Sequence, residues 1–407
     1  MKKNNKIIYL DNASATPLDK EVLAIMKESL QNDFYNPSAI SEGGLLVKKK
    51  IEDARDKIAY ILGVSKNQIL FTSGATESNN LTILGIYNTY KNKFKKLHFI
   101  TTKVEHASVL EVFKNLEKNT INGESKIEVT YLDINPDGNI NLDELKKSLK
   151  PNTVLVSIMY ANNEIGTIYN IREIAKTLRH FRKNKKQDNN LPYLHTDATQ
   201  AINYLDINVN RLGVDMMSFN SAKIYGPKGV GVLYVKKDTK LEPITFGGNQ
   251  EYGLRPGTLN APLILGLTKA LEITNKIKDK EVKRLEKLKN KFFYDLEKVF
   301  MKNNLAIKLN GNLENSLPNI LNITVPKIPS DLFLVELSMR GIYLSEKSAC
   351  KTGEKKNSHV LEALYKNQNQ DLSSLRFSLG RENTKEDLKY VIDSINDILK
   401  KLKIWYI

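Results

Sequence analysis

The sequence predicts an α/β fold: a mostly parallel central sheet joined to a second, smaller α+β domain. Three observations carry this expectation. From about residue 18 to 265, short β-branched apolar runs alternate with longer amphipathic segments, the pattern of a parallel sheet buried on both faces and covered by helices. After Pro262 the texture changes to a long, charge-laced helical pattern over 263–302. The length of 407 residues also exceeds one ordinary core. The expected division is a large domain at 18–262 and a small one formed by 1–17 with 263–407.

In order along the chain, "QILFTS" (68–73) reads as a strand and "TESNNLTILGIYNTY" (76–90) as a helix. "LHFITT" (97–102), "IEVTYLDI" (127–134), "TVLVSIMY" (153–160) and "YLHTD" (193–197) read as strands, with helices at 141–149 and 171–183 between them. "MMSFNS" and "VGVLYV" add two strands around Lys223. "KNKKQDNNLP" (183–192) reads as a polar loop inserted into this pattern. Beyond 302, "NILNITV" (319–325) reads as a strand, 330–339 as a helix, "LRFSLG" (375–380) as a strand and 384–403 as a final helix.

Composition narrows the function. Hydrophobic content of 41% with 27% charged residues is that of a globular protein, and no apolar run approaches the ~20 residues of a membrane span. The start, "MKKNNKIIYLDNASATP", has too short an apolar run for a signal peptide, so the expected location is cytoplasmic. Lys and Arg outnumber Asp and Glu by 62 to 46. The lysines are scattered, acidic residues are mixed into 276–291, and no basic–aromatic stacking pattern is visible, so a solvated face is expected and not a nucleic-acid site. The one cysteine, Cys350, cannot form an intramolecular disulfide; it is either a small buried apolar residue or a reactive thiol.

Ligands of open parallel sheets bind beyond the carboxyl ends of the strands, so the residues there are the candidates. Gly74, Ala75 and Thr76 open a helix and suit a phosphate, or form an ordinary cap. His106 follows the strand 97–102, and Asn163 with Gly166 follows the strand 153–160, as a turn or as an amide beside a ligand. Asp197 ends an apolar strand, where a carboxylate needs a partner: a helix cap, or a protonated ring nitrogen. Lys223 sits in a bend with glycines just behind it, a partly dry setting that favours an amine nucleophile. Pyridoxal 5'-phosphate needs this set, namely a phosphate site, an aspartate for its pyridinium nitrogen and a lysine for its aldehyde.

These residues lie in motifs that resemble a known family. "YLDNASATP", "NPSAISEGG", "TSGATESNN", "EHASV", "NNEIGT", "HTDATQA", "SAKIYGPKGVGVLYV", "GGNQEYGLRPGTLN", "LPNILN", "SACKTG", "HVLEAL" and "LRFSLG" occur in order over nearly the whole chain. Together they resemble the pyridoxal-phosphate cysteine desulfurases of the class V aminotransferases. The resemblance implies fold type I, a PLP-binding large domain and a small domain carrying the cysteine. It implies that Lys223 is the Schiff-base lysine and that Asp197 holds the pyridine nitrogen. Gln200 would lie near the ring hydroxyl, His106 over the ring, and Asn163 beside it. Ala75 and Thr76 would cradle the phosphate with Asn220 and Ser221, and Thr258 would reach it from the other subunit of a homodimer. Asn36 and Arg376 would hold the substrate carboxylate, Arg376 through its two-pronged fork. Cys350 would be the nucleophile; its polar stretch "LSEKSACKTGEKKNSH" reads as a mobile loop in which Lys347 and Lys351 favour the thiolate.

The implied reaction takes L-cysteine to L-alanine and leaves a persulfide on Cys350. An iron–sulfur scaffold or a tRNA thiolase would receive the sulfur; no metal site, direct nucleic-acid contact or membrane contact is expected. Where the family often has a serine and a histidine, this chain has Asn220 and Ala222, and Pro256 stands where a serine is common, which lowers the expected phosphate affinity. The alternatives are a selenocysteine lyase or another β-eliminating enzyme, and a non-catalytic scaffold. The long cysteine-bearing stretch argues against the first; Lys223, Asp197, His106, Arg376 and Cys350 together argue against the second.

Overall fold

The computed structural model describes residues 7–118, 120–121, 124–184, 191–325, 328–345, 358–366 and 373–406. Seven strands form the central sheet. In chain order they are Ile69–Thr72, Leu97–Thr102, Ile127–Leu132, Thr153–Ser157, Tyr193–Asp197, Met216–Asn220 and Gly231–Val235. Across the sheet they lie in the order first, seventh, sixth, fifth, fourth, second, third. Six run in one direction; only Gly231–Val235 is antiparallel to its neighbours. The reason is the connection. Residues 221–230 are too few for the crossover that a parallel strand requires, so the chain folds straight back. Among the described residues no helix is long and apolar enough to cross a membrane.

Both faces of the sheet are covered, as the unbroken apolar runs demand. Ile69, Phe71, Met217, Phe219, Val232 and Tyr234 face one hydrophobic cluster, whereas Leu70, Met216, Leu233 and Val235 face another. Adjacent residues of a strand point to opposite faces, so each strand feeds both clusters. Helices expected at 76–90, 141–149 and 171–183 occupy Ala75–Tyr90, Leu142–Ser148 and Ile171–Asn184. Of the expected loop at 183–192, residues 185–190 lie outside the described residues.

A third cluster lies beyond Pro262. The helix Ala261–Lys302 gives Ala261 to Leu271 to the first cluster and Leu285 to Phe300 to the third. There it packs against the antiparallel strands Ile320–Thr324 and Ser374–Ser378 and the last helix, Lys385–Tyr406. The amino-terminal Ile8 and Leu10 also join this cluster, and Ile8–Tyr9 pairs in parallel with Ile342–Tyr343. The two parts of the chain therefore meet where Asp11 to Thr16 cross from one to the other, and Thr16 bonds the Ala222 carbonyl through its N–H at 2.9 Å.

One buried ion pair sits at the root of the first strand. Arg55, on the helix Glu42–Leu62, grips Glu251 in two places, at 2.6 and 2.8 Å, and also donates to the Ile69 carbonyl at 2.7 Å. Glu251 in turn accepts from the Phe71 N–H at 2.6 Å. Glu251 and Tyr252 both have positive φ, 46° and 59°, a conformation that costs free energy unless its surroundings hold it. Arg55→Ala leaves the Glu251 carboxylate buried without its counter-charge. It is expected to lower stability to urea, followed by circular dichroism, by about 3–5 kcal/mol; an unchanged midpoint would show that the pair does not hold this segment.

Candidate active site

The carboxyl ends of the parallel strands open on a cavity of about 240 Å³. Its wall includes nine of the residues singled out from the sequence: Ala75, Thr76, His106, Asn163, Asp197, Gln200, Asn220, Lys223 and Arg376. Ala13, Ser14 and Ser108 also line it.

At one end is the amino terminus of the helix Ala75–Tyr90. A Cβ placed on Gly74 would meet nothing within 4 Å, so the backbone there is open to an anion. Behind it the seventh strand passes so close that a Cβ on Gly231 would come within 2.7 Å of the Gly74 backbone. Glu77 in the first turn accepts from the Ser73 N–H at 2.5 Å and pairs with Arg255 at 2.9 Å. This braces the turn from the outside and leaves the inner N–H groups to the cavity.

Asp197 is buried on the floor. Its Oδ1 accepts the Thr199 N–H at 2.9 Å and its Oδ2 accepts Nδ2 of Asn79 at 2.8 Å. The same Nδ2 donates to Ser108 Oγ at 2.9 Å, and Ser108 Oγ lies 2.8 Å from His106 Nδ1. The Ser108 N–H donates to that Nδ1 at 3.1 Å, so the neutral ring carries its proton on Nε2. Burial is the main cause that pushes His106 below the ordinary histidine range; Lys223 and His359 act the same way, and Asp197 and Glu164 oppose them. The ring is therefore neutral at pH 7. Asn79 and Ser108 were not singled out from the sequence. The available signal was that Asn79 stands one helical turn after Ala75, on the same face.

Lys223 lies in the turn Ser221–Lys223 that follows the sixth strand. Its Nζ donates to the Ser14 carbonyl, and its own carbonyl accepts from Asn203 Nδ2. Of the glycines behind it, Gly226 is required by space: a Cβ there would fall 2.0 Å from Ser221 Oγ. Gln200 donates to the Ala13 carbonyl at 2.9 Å, closing the wall above Asp197.

Arg376 is only 2% exposed, yet it reaches the cavity from the strand Ser374–Ser378. It donates to the Asn163 carbonyl at 2.9 Å, to Asp11 at 2.8 Å and to Ser14 Oγ at 2.8 Å, and its Nε has no partner. Asp11 as counter-charge was also missed from the sequence; 365 residues separate the two. Among the described residues Thr199 Oγ1 and Asn220 Oδ1 are buried in the wall without partners, as polar atoms would be that await a polar ligand.

The structure does not bring every candidate to the cavity. Ser221 is buried behind it, with its Oγ unpartnered. Asn36 is exposed, its Oδ1 accepting the Ser38 N–H at 2.9 Å, and Thr258 is exposed as well. Cys350, Lys347 and Lys351 lie outside the described residues. Chemically, the groups that do meet can take an anion at the helix terminus, a ring N–H at Asp197, an aldehyde at Lys223 and a carboxylate at Arg376.

A model of the class V aminotransferases matches residues 8–391. The cysteine desulfurase IscS of Dictyoglomus turgidum is 41% identical, over 97% of this chain and 95% of that protein. The solved structure of a NifS-like protein superposes with a TM-score of 0.86 at 34% identity, over 98% of this chain and 100% of the other. A structure described as SspA in complex with cysteine superposes with a TM-score of 0.74 at 33% identity, over 91% and 98% of the two chains.

Glu105, next to His106, is wholly buried. It accepts the Met159 N–H at 3.0 and 3.1 Å and the Thr102 hydroxyl at 2.8 Å. Burial dominates those bonds and pushes its carboxyl from the ordinary 4.5 up to about 8, and the Asp197 charge adds to the rise. Between these values the folded chain holds a proton that the unfolded chain releases, so this group makes stability fall as pH rises from 4.5 to about 8. Glu105→Gln is expected to flatten that fall in urea unfolding measured across the same window. An unchanged pH profile would contradict the assignment.

Proposed function

The chain belongs to the class V aminotransferase family, among its cysteine desulfurases, and we propose that it works through pyridoxal 5'-phosphate held by Lys223 and a persulfide formed on Cys350. The observation that carries this reading is the shared wall of one cavity. It joins a helix amino terminus for the phosphate, a buried carboxylate already fixed by two N–H donors, and a lysine in a tight bend. The Thr199 hydroxyl, unpartnered among the described residues, can donate to a polar ring edge. Asn220 can serve a phosphate only through its Nδ2 donor, because its Oδ1 accepts, so the lower phosphate affinity expected from the departure from serine stands.

When bound, the cofactor supplies an electron sink that labilises the α-hydrogen of an amino acid and then its β-substituent. The chain's own residues do the rest. Asp197, held by Asn79 and Thr199, would keep the ring nitrogen protonated. Lys223 Nζ would take the α-proton. His106, neutral with its proton on Nε2, would pass protons from its place in the cavity wall. Arg376 takes the substrate carboxylate, with Asp11 and Asn163 holding the fork in place. Cys350 thiolate then takes the substrate sulfur, giving a persulfide and L-alanine.

A homodimer is part of this reading. Leu30, Phe34, Ile40, Leu46, Tyr60 and Phe246 are exposed apolar side chains that a second copy could cover. A second copy covering them would bring Thr258 to its partner's phosphate site and give Asn36 a role at the substrate. The division at 18–262 and 1–17 with 263–407, a cytoplasmic location, and delivery of sulfur to an iron–sulfur scaffold or a tRNA thiolase complete the proposal. A selenocysteine lyase is the less supported reading, because the relatives matched over nearly full length are desulfurases.

The test is alanine and sulfide released from L-cysteine with a thiol reductant. Lys223→Ala is expected to lose roughly 10²–10⁴-fold in rate, and Cys350→Ser to release no sulfide. Wild-type protein that forms no alanine contradicts the desulfurase reading; equal activity in Cys350→Ser removes Cys350 as the nucleophile.

A further inference from the structure

The described residues on either side of Cys350 are fastened to the cavity wall. In the sequence Cys350 stands five residues after Ser345 and eight before Ser358. Ser345 pairs with Arg376 through both backbone bonds: its N–H to the Arg376 carbonyl at 3.3 Å, and the Arg376 N–H to its carbonyl at 2.8 Å. On the other side Ser358 caps the helix His359–Tyr365, accepting from Val360 and Leu361 N–H at 3.2 and 3.3 Å. The same hydroxyl donates to Glu164 Oε2, a carboxylate almost fully buried. His359 Nε2 donates to the Glu105 carbonyl at 3.0 Å.

These attachment points are next to the site in the chain. Glu105 directly precedes His106, and Glu164 directly follows Asn163, whose carbonyl holds Arg376. A helix cap needs only the two N–H bonds that Ser358 already accepts. Its further donation to a buried carboxylate, and the adjacent bond from His359, are extra links between this helix and the cavity.

We propose that Ser358 and His359 are positioning residues for the sulfur step, docking on Glu164 and the Glu105 carbonyl so that the helix His359–Tyr365, which follows Cys350 in the sequence, is held beside the cavity. The proposal rests on the desulfurase reading. In that step the Cys350 sulfur bonds to the substrate sulfur as the carbon–sulfur bond breaks, its electron pair stays with carbon, and carbon is protonated. L-cysteine and the Cys350 thiol become L-alanine and the Cys350 persulfide, with no outside oxidant.

The test compares two substrates on the full-length holoenzyme. L-cysteine needs the Cys350 thiol; L-cysteine sulfinate does not, because its oxidised sulfur leaves as sulfur dioxide without a thiol acceptor. Ser358→Ala and His359→Leu are expected to lower kcat for L-cysteine by roughly tenfold to a hundredfold, with alanine from the sulfinate changed by less than about twofold. Ser358→Thr and His359→Gln, which keep the donors, should recover most of the loss. Equal losses on both substrates would mean a merely structural helix and overturn the proposal, as would no loss on either. Wild-type enzyme that turns over the sulfinate but not L-cysteine would overturn the desulfurase reading itself, and the proposal with it.

Discussion

A carboxylate at the end of a buried strand must be paired, and the cavity is arranged around that requirement at Asp197. Asn79 and Thr199 satisfy it from two sides, and Asn79 spends the same amide on Ser108, which sets the tautomer of His106. One buried charge therefore fixes a helix, a strand end and an imidazole in a single network. Within this network Asn79 Oδ1 is buried without a partner among the described residues, while Asp197, Ser108 and His106 line the cavity. The next strand lies in register beside it, Asp197 opposite Ser218, so a short turn suffices to bring Lys223 back over the same floor.

The second constraint is that the wall is shared between clusters. Ala13 and Ser14 accept from Gln200 and Lys223 while Ser14 also accepts from Arg376. Arg376 comes from the antiparallel strands of the third cluster, and its charge is balanced by Asp11 from the chain's amino-terminal segment. A guanidinium this deeply buried needs such partners. An incoming carboxylate would share a fork whose orientation is already set, which lowers the ordering cost of binding.

The strands, most helices and the strand-end candidates were legible in the sequence because their signals are local: apolar runs, helical periodicity, and a polar residue directly after a run. The reversed strand at Gly231–Val235 was not separately foreseen, although the ten-residue connection contains the reason. The partners were illegible. Arg55 with Glu251, Arg376 with Asp11, and Ser358 with Glu164 stand 196, 365 and 194 residues apart, and no pattern within a segment encodes such a pairing. Asn79 and Ser108 carry no local signal, since a polar residue in a helix's first turns has the same composition whether or not it joins a network. Asn36 and Thr258 lie exposed, off the cavity wall.

Lys223, among many lysines, is the one proposed to carry the cofactor. The direct measurement is reduction of the protein with borohydride after incubation with pyridoxal 5'-phosphate, followed by peptide mass mapping. The account predicts one pyridoxyl group per chain, on Lys223, and none there when Lys223 is replaced by alanine. A label spread over surface lysines, or fixed at another lysine, would contradict it.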